Sequence, residues 1–226
     1  SLTAASITTY TRAYDISFAG NSTEVTNAVT FNNTGNLILG DNAADVCTFI
    51  GVTHTAGDTT LSGTLRTSDD AVTLQNLTIG TNSKIDSGTA IISIQGSTTG
   101  ASHNLTITGD VNFTGAVSGI TTFDITGNAD FAGTLGSVIT LTVTGNAEFN
   151  GAVTGTGSIE VSGTTDINTT TITTTGTQTY GDTTGTDTIT FGSNAVLTGT
   201  TVAFNAPVTG AGNNLTVTGN AVFGNE

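Results

Sequence analysis

Apolar residues recur every 18 positions through the middle of the chain, from Leu105 to Ile167. Four sets of equivalent residues show this period: Leu105, Phe123, Leu141 and Ile159; Ile107, Ile125, Val143 and Val161; Gly109, Gly127, Gly145 and Gly163; Phe113, Phe131, Phe149 and Ile167. Within each unit an apolar position also returns about every six residues. A fixed period built from strand-forming residues is typical of a solenoid of stacked coils. Three segments of six residues give a coil with three sides, so the pattern predicts an all-β parallel β-helix with about 18 residues per coil.

The alternation of apolar and polar residues predicts the core of this solenoid. Successive side chains of a strand point to opposite faces, so Leu105 and Ile107 should point inward and Thr106 outward. The predicted core of the repeat comprises Leu105, Ile107, Phe113, Phe123, Ile125, Phe131, Leu141, Val143, Phe149, Ile159 and Val161. Phe113, Phe131 and Phe149 should stack as an aromatic ladder.

Glycine punctuates the repeat at the expected corners. Gly109 and its equivalents follow each apolar pair, and Asn128 and Asn146 follow two of these glycines. Glycine and asparagine are the residues that most readily accept a left-handed backbone. We therefore expect the corners to turn through such conformations.

The repeat loosens toward both ends without disappearing. The segment 215–223 restates 141–149 closely, and apolar pairs continue upstream at irregular intervals. At about 18 residues per coil, the 226 residues have room for roughly 12 coils, a rod about 55–60 Å long. Residues 28–226 are predicted to form the β-solenoid itself. Residues 1–27, which hold Tyr10 and Tyr14, fit the repeat poorly and are predicted to form an N-terminal cap or an inter-subunit contact segment.

Composition and charge narrow the classes of function. Thirty Gly, one Pro and no Trp or Met suit a β-rich chain with many turns. Three basic residues against 17 acidic ones leave a net charge of −14, which argues against nucleic acid and anionic membranes as partners. The chain has no apolar run of about 18 residues, so membrane insertion is not expected. The single Cys47 cannot form an internal disulfide and is predicted to be an inert buried thiol.

Three segments share one style of repeat: Thr-Thr-Leu-Ser-Gly-Thr-Leu at 59–65, Asn-Leu-Thr-Ile-Thr-Gly-Asp-Val-Asn-Phe-Thr-Gly-Ala-Val at 104–117 and Asn-Leu-Thr-Val-Thr-Gly-Asn-Ala-Val-Phe-Gly at 214–224. They resemble the repeat regions of large bacterial surface exoproteins, of the filamentous-haemagglutinin and autotransporter-passenger type. The resemblance covers residues 28–226. It implies a right-handed parallel β-helix that is secreted and serves as a stalk, an adhesin or a filament.

One outward column is acidic and is the candidate metal site. Asn112, Asp130, Glu148 and Asp166 are each separated by one period of the repeat and should stack on successive coils. Stacked carboxylates repel one another unless they are protonated or bridged, and Ca²⁺ prefers such oxygen ligands. The column therefore predicts either a Ca²⁺ ladder on Asp130, Glu148 and Asp166 or a solvated acidic stripe. No other cofactor is expected.

Two other kinds of activity stay open as alternatives. Asp130 and Glu148 could meet the spacing of about 5–5.5 Å that a retaining glycosidase needs, as in polysaccharide-degrading β-helical enzymes. Arg66 and Lys84 lie outside the acidic column, however, and only Tyr180 supplies a sugar-stacking ring in the repeat region, so we predict that the chain is not an enzyme. A surface binder of ice or polysaccharide is the other alternative, since Thr108, Thr126, Thr144 and Ser162 form a column of hydroxyl groups, but charges on alternate coils of the adjacent column interrupt a flat face.

The sequence thus favours an extracellular structural or adhesive solenoid at the cell surface. The segment 215–223 is a core-type coil without polar capping residues, and an uncovered coil end templates further pairing. We expect the next coil to come from the continuing polypeptide of a larger exoprotein or from the N-terminal part of another copy. A host-cell, matrix or polysaccharide ligand is a further expected partner.

Overall fold

The computed structural model describes residues 1–183 and 186–224 of the chain, and in these residues it is an all-β solenoid without helices. All 27 strands of this described part pair in parallel and build about 12 turns. The predicted fold class is therefore confirmed. The mean spacing between turns is roughly 19 residues, because the turns outside the central repeat are longer.

Each turn visits three faces in a fixed order, which we name A, B and C. Face A contains β1 (Leu2–Ala4), β3 (Ser22–Val25), β6 (Val46–Phe49), β8 (Thr64–Thr67), β10 (Ser83–Asp86), β17 (Thr140–Val143), β20 (Ser158–Val161) and β23 (Thr177–Tyr180). Face B contains β4 (Val29–Thr30), β11 (Ile92–Ile94), β13 (Val111–Phe113), β15 (Ala129–Phe131), β18 (Ala147–Phe149), β21 (Thr165–Ile167), β24 (Ile189–Phe191) and β26 (Val208–Thr209). Face C contains β2 (Ile16–Phe18), β5 (Leu37–Leu39), β16 (Leu135–Gly136), β19 (Val153–Thr156) and β22 (Thr171–Thr174).

Six longer strands bend round a corner and belong to two faces. Faces B and C share β7 (Val52–Leu61) and β9 (Val72–Ile79), and faces C and A share β12 (Thr98–Thr108), β14 (Val117–Ile125), β25 (Ala195–Phe204) and β27 (Leu215–Phe223). The register of the ladders places equivalent residues above one another, as in Phe123 beside Leu141 and Leu141 beside Ile159.

The core is a single apolar column along the axis of the solenoid. All eleven residues predicted for the core of the central repeat are at most 1% exposed, which confirms that prediction. The rings of Phe113 and Phe131 stack with centroids 5.5 Å apart, and those of Phe131 and Phe149 with centroids 5.4 Å apart. The predicted aromatic ladder is therefore present.

The corner glycines serve a different purpose from the one that we expected. Gly109 has a left-handed backbone with φ of 120°, but its equivalents Gly127, Gly145 and Gly163 do not, and neither do Asn128 and Asn146. A Cβ atom on Gly145 would lie 2.5 Å from the carbonyl oxygen of Gly127 in the preceding turn. Glycine is required at these corners because the backbones of adjacent turns approach too closely for a side chain.

The segment 1–27 contains three strands that follow the solenoid's own pairing. β1 pairs with β3, β2 with β5 and β3 with β6, all in parallel. Between β1 and β2, Thr9 lies beside β4, because its hydroxyl donates to the carbonyl of Thr30 and accepts from the backbone N–H of Asn32. Thr9 thus lies beside the first strand of face B. The division of the chain at residue 27 and the capping role of this segment stay predictions.

Candidate functional site

The acidic column lies on face B, where four short strands stack. β13 pairs with β15, β15 with β18 and β18 with β21, so that Asn112, Asp130, Glu148 and Asp166 are register partners. Adjacent strands are about 4.8 Å apart, which sets the distance between successive turns of this column. The structure therefore brings the three predicted metal-site carboxylates together on one outward column.

The burial of neighbouring residues fixes the direction of each carboxylate. Asp130 lies between Ala129 and Phe131, which are 4% and 1% exposed. Because both neighbours point into the core, Asp130 must point outward, and it is half-buried among the adjacent turns. Glu148 is placed in the same way by Ala147 and Phe149.

A ladder of side-chain oxygens follows the corner before these strands. The backbone N–H of Asn128 donates to Oδ1 of Asp110 over 2.8 Å, and the N–H of Asn146 donates to Oδ1 of Asn128 over 2.8 Å. The N–H of Thr164 then donates to Oδ1 of Asn146 over 2.9 Å. Each side chain thus satisfies a backbone donor of the next turn, which fixes one edge of the acidic column.

A second amide ladder, at the corner after the strands, contacts the carboxylates directly. Nδ2 of Asn150 donates to Oδ1 of Asp130 over 3.0 Å, and Nδ2 of Asn168 donates to Oε1 of Glu148 over 2.9 Å. Nδ2 of Asn168 also donates to Oδ1 of Asn150 over 3.0 Å. Each of these two carboxylates accepts a hydrogen bond from the following turn, and this offsets part of the repulsion within the column.

The first ladder lines a shallow groove of about 250 Å³, together with the carboxylates that the second ladder contacts. Its lining combines carboxylates, amides and a few apolar side chains: Ile91, Asp110, Asn112, Asn128, Ala129, Asp130, Asn146, Ala147, Glu148 and Asp166. Oxygen donors in this density suit a hard cation or a ligand rich in hydroxyl groups. Within residues 1–183 and 186–224, no three His, Cys, Asp or Glu side chains form a cluster able to hold a metal ion. Calcium binding at Asp130, Glu148 and Asp166 stays a prediction.

Two of the three basic residues, Arg66 and Lys84, lie on another face. On face A, Nζ of Lys84 is 3.1 Å and Nε of Arg66 is 3.6 Å from Oδ2 of Asp86. Partial burial raises the pKa of Asp86, but the hydrogen bond and charge of Lys84, with the charge of Arg66, outweigh it and hold the pKa below its usual value. Both cations are therefore engaged with a carboxylate away from the groove.

The cysteine and one histidine are buried in the N-terminal turns. Burial raises the pKa of Cys47 to about 11, so this thiol is inert, as predicted. Nδ1 of His54 lies 2.9 Å from Oγ1 of Thr59, and Nε2 lies 3.2 Å from the carbonyl oxygen of Asn33. Burial lowers the pKa of His54, and the neutral ring satisfies both contacts when Nε2 carries the proton.

Asn150 and Asn168 are the residues of the site that the sequence analysis missed. They are separated by one period of the repeat and lie two positions after Glu148 and Asp166, so the period itself contains the signal. Each amide reaches the carboxylate of the preceding turn because only one turn and two strand positions separate them.

Comparison with protein families, with characterised proteins and with solved structures finds no match to this chain. The part of the chain that the structure describes contains no helix long and apolar enough to cross a membrane.

Proposed function

We propose that this chain is an extracellular structural or adhesive β-solenoid that forms a filament or stalk by end-to-end association and has no catalytic activity. The observation that carries the proposal is the state of the two ends of the rod. Both present strand edges without a neighbour among the described residues, and both expose large apolar side chains.

The C-terminal end is formed by β26 and β27. Among the described residues each pairs on one edge only, β26 with β24 and β27 with β25. Phe223 is 65% exposed although its ring stacks on Phe204 with a centroid distance of 5.1 Å. Leu215 and Val217 are also only partly covered. An apolar edge of this kind templates the addition of another strand.

The N-terminal end offers a similar surface. β1 and β2 each pair with only one later strand of the described chain. Leu2 is 42% exposed, and Ile7 and Ile16 are partly buried against the core. Two different end surfaces that bind each other form a heterologous contact, which does not close and therefore generates fibres.

The sides of the rod suit contact with solvent and with polar ligands. The charge of −14 keeps such rods apart laterally and favours growth along the axis. The resemblance to bacterial surface exoproteins supports secretion and a cell-surface location. A host-cell, matrix or polysaccharide ligand would bind along these sides, with the groove on face B as its first candidate position.

Electron microscopy of two matched variants tests the proposal. Phe223→Lys places a charge on the C-terminal end and should abolish fibres without changing the melting temperature of the rod by more than a few degrees. Ile139→Lys is the control, because Ile139 is 60% exposed on the side of the rod. Fibres that persist in Phe223→Lys, or a parent chain that stays monomeric at high concentration, would contradict end-to-end association. If the end is covered by further turns of a longer polypeptide, the longer chain will stay monomeric and the stalk function remains.

A second candidate function, surface binding of ice or polysaccharide, is favoured by the outward column of face C. This column carries hydroxyl groups on most turns and no charge from Thr60 onward: Thr60, Thr78, Thr99, Ser118, Thr154, Thr173, Thr198 and Thr218. It is more uniform than the face A column, where Asp124 and Glu160 alternate with threonine. Thermal hysteresis and polysaccharide pull-down measurements test this function. Loss of the signal in Thr173→Lys, with retention in Thr142→Lys on face A, is the expected result.

A further inference from the structure

The amides along one rim of the face B groove are held at one end and free at the other. Oδ1 of Asn128 accepts from the backbone N–H of Asn146, and Oδ1 of Asn146 accepts from that of Thr164. Among the described residues, no group accepts a hydrogen bond from Nδ2 of either asparagine. Both side chains are exposed and line the groove. Each amide is therefore oriented by the following turn and keeps its N–H donors available for a ligand.

The carboxylates along the opposite rim also keep one oxygen free. Asp130 accepts from Asn150 through Oδ1, and Glu148 accepts from Asn168 through Oε1. Oδ2 of Asp130 and Oε2 of Glu148 accept no hydrogen bond from the residues that the structure describes. Each of these two turns thus presents an amide donor on one rim and a carboxylate acceptor on the other.

Alanine forms the floor between the two rims. Ala129 and Ala147 line the groove although they are only 4% and 3% exposed. Their register partners on the turns before and after are the larger Val111 and Thr165. The small side chains leave a depression on the same two turns that carry the donor–acceptor pairs. Shape and hydrogen-bonding groups therefore coincide at one place on the side of the rod.

We propose that this groove binds a neutral glycan chain that runs along the axis of the rod, with one sugar unit on each turn. This inference rests on the polysaccharide ligand of the proposed function and specifies its chemical class and its position. Two neighbouring hydroxyls of a sugar are complementary to each turn, because one accepts from the amide N–H while the other donates to the carboxylate oxygen. The amide and the carboxylate of one turn are two strand positions apart, about 6.6 Å, which spans the edge of one sugar ring.

The spacing of the turns favours a glycan over a peptide. Successive donor–acceptor pairs are about 4.8 Å apart, which is close to the length of one sugar unit in an extended glycan. An extended peptide presents side chains on the same side only every second residue, about 6.6 Å, so it would lose register with the turns. The carboxylates of the groove and the net charge of −14 repel acidic glycans. The ligand is therefore an uncharged chain rich in hydroxyl groups.

Isosteric substitutions on the amide rim test this assignment. N128D/N146D keeps Oδ1 for the ladder but replaces both free donors with acceptors, so it should weaken glycan binding at least about tenfold. The matched control is N82D/N104D, which adds the same charge to a similar ladder at the corner between faces C and A. There Oδ1 of Asn82 accepts from the backbone N–H of Asn104, and Oδ1 of Asn104 accepts from that of Thr122. The control should bind the glycan as the parent does.

NMR titration of the isotope-labelled chain measures this binding, in the Phe223→Lys background so that fibre growth does not interfere. The probes are cellotetraose and mannotetraose, which present trans and cis neighbouring hydroxyls, and an acidic oligogalacturonate. The side-chain amide signals of Asn128 and Asn146 should shift with a neutral tetrasaccharide and stay unchanged with the acidic one. Calcium should show the opposite response, because the two added carboxylates of N128D/N146D strengthen its binding.

Several results would overturn the inference. They are the absence of a shift with both neutral tetrasaccharides, equal affinities of the parent and N128D/N146D, and shifts with an asparagine-rich peptide but with neither sugar. Each would leave end-to-end association intact, because that association is measured separately by electron microscopy of the parent chain.

Discussion

Phenylalanine packs differently in the central repeat and in the N-terminal turns. In the centre, Phe113, Phe131 and Phe149 come from successive strands of face B, and their rings are parallel to within 7°. Near the N-terminus, Phe18, Phe31 and Phe49 come from faces C, B and A and meet edge to face, with centroids 5.9 to 6.0 Å apart. In the centre, Phe123 of face A also meets this stack edge to face. The parallel stack itself is found only where a constant period places phenylalanine at the same point of successive turns.

The irregular turns bury larger polar groups, Asn33 and His54, whereas the fully buried polar residues of the region 105–167 are the threonines Thr156 and Thr165. Val29 pairs with Val52 and Val52 with Val72, so both of these turns are longer than a turn of the central repeat. At these longer turns His54 occupies a position that the regular repeat gives to phenylalanine or isoleucine, and it contacts Thr59 and the carbonyl of Asn33. Departure from the period therefore coincides with hydrogen bonds inside the core.

The largest expected effect comes from breaking the regular ladder. Phe131→Ala removes a ring that stacks on both neighbours, and the narrow core of a solenoid has little freedom to collapse, so we expect a loss of about 3–5 kcal/mol. Phe131→Leu, which keeps most of the volume, should cost less than about 1.5 kcal/mol. Urea unfolding followed by circular dichroism measures both. Equal losses in the two variants would show that the stacked rings do not define the core.

The sequence predicted the regular region well, because each position of the 18-residue period has the same role in every turn. The period identified the inward residues, the phenylalanine ladder and the acidic column. It could not identify why Gly127 and Gly145 are glycines, because close approach between turns depends on the distance between backbones and not on local φ. It also did not predict the contacts of Asn150 and Asn168 with the carboxylates, since those contacts join side chains from different corners.

Calcium binding should have the next largest effect on stability, and its proposed ligands all lie in the regular region. If Asp130, Glu148 and Asp166 bind Ca²⁺, a concentration 100-fold above Kd should stabilise the chain by about 2.7 kcal/mol, and a chelator should remove the gain. Asp130→Asn and Glu148→Gln should abolish the difference in melting temperature. Glu160→Gln, which removes one carboxylate from face A, is the matched control. An unchanged melting temperature with and without Ca²⁺ would leave the groove as a solvated acidic surface.

Acid should affect the N-terminal turns and not the centre. Because burial lowers the pKa of His54, the unfolded chain binds a proton at a higher pH than the folded chain. The stabilisation that the neutral ring provides is therefore complete above the unfolded-state pKa of about 6.5. It is lost as the pH falls toward the pKa of His54 in the folded chain. Within that window stability should fall by up to about 1.4 kcal/mol per pH unit.

Hydrogen exchange of residues 29–61 between pH 7 and pH 5 measures the loss where His54 lies. His54→Gln should remove this pH dependence, while the control His103→Gln should keep it. A loss of protection spread evenly over the whole rod would contradict a local origin at His54.

The smallest expected effect concerns the amide that links two turns of the groove. Asn150 donates to Asp130 and accepts from Asn168, so Asn150→Ala removes two exposed hydrogen bonds and should cost about 1 kcal/mol. It also leaves the repulsion between Asp130 and Glu148 less compensated, and salt screens repulsion between exposed charges. The loss should therefore be larger at low than at high NaCl concentration. The control is Asn112→Ala, which should show no such dependence, because Asn112 lies in the same column of face B but is paired with Ser93 on the preceding turn. Salt-independent losses in Asn150→Ala would show that the amide ladder holds the turns together without offsetting the charge of the column.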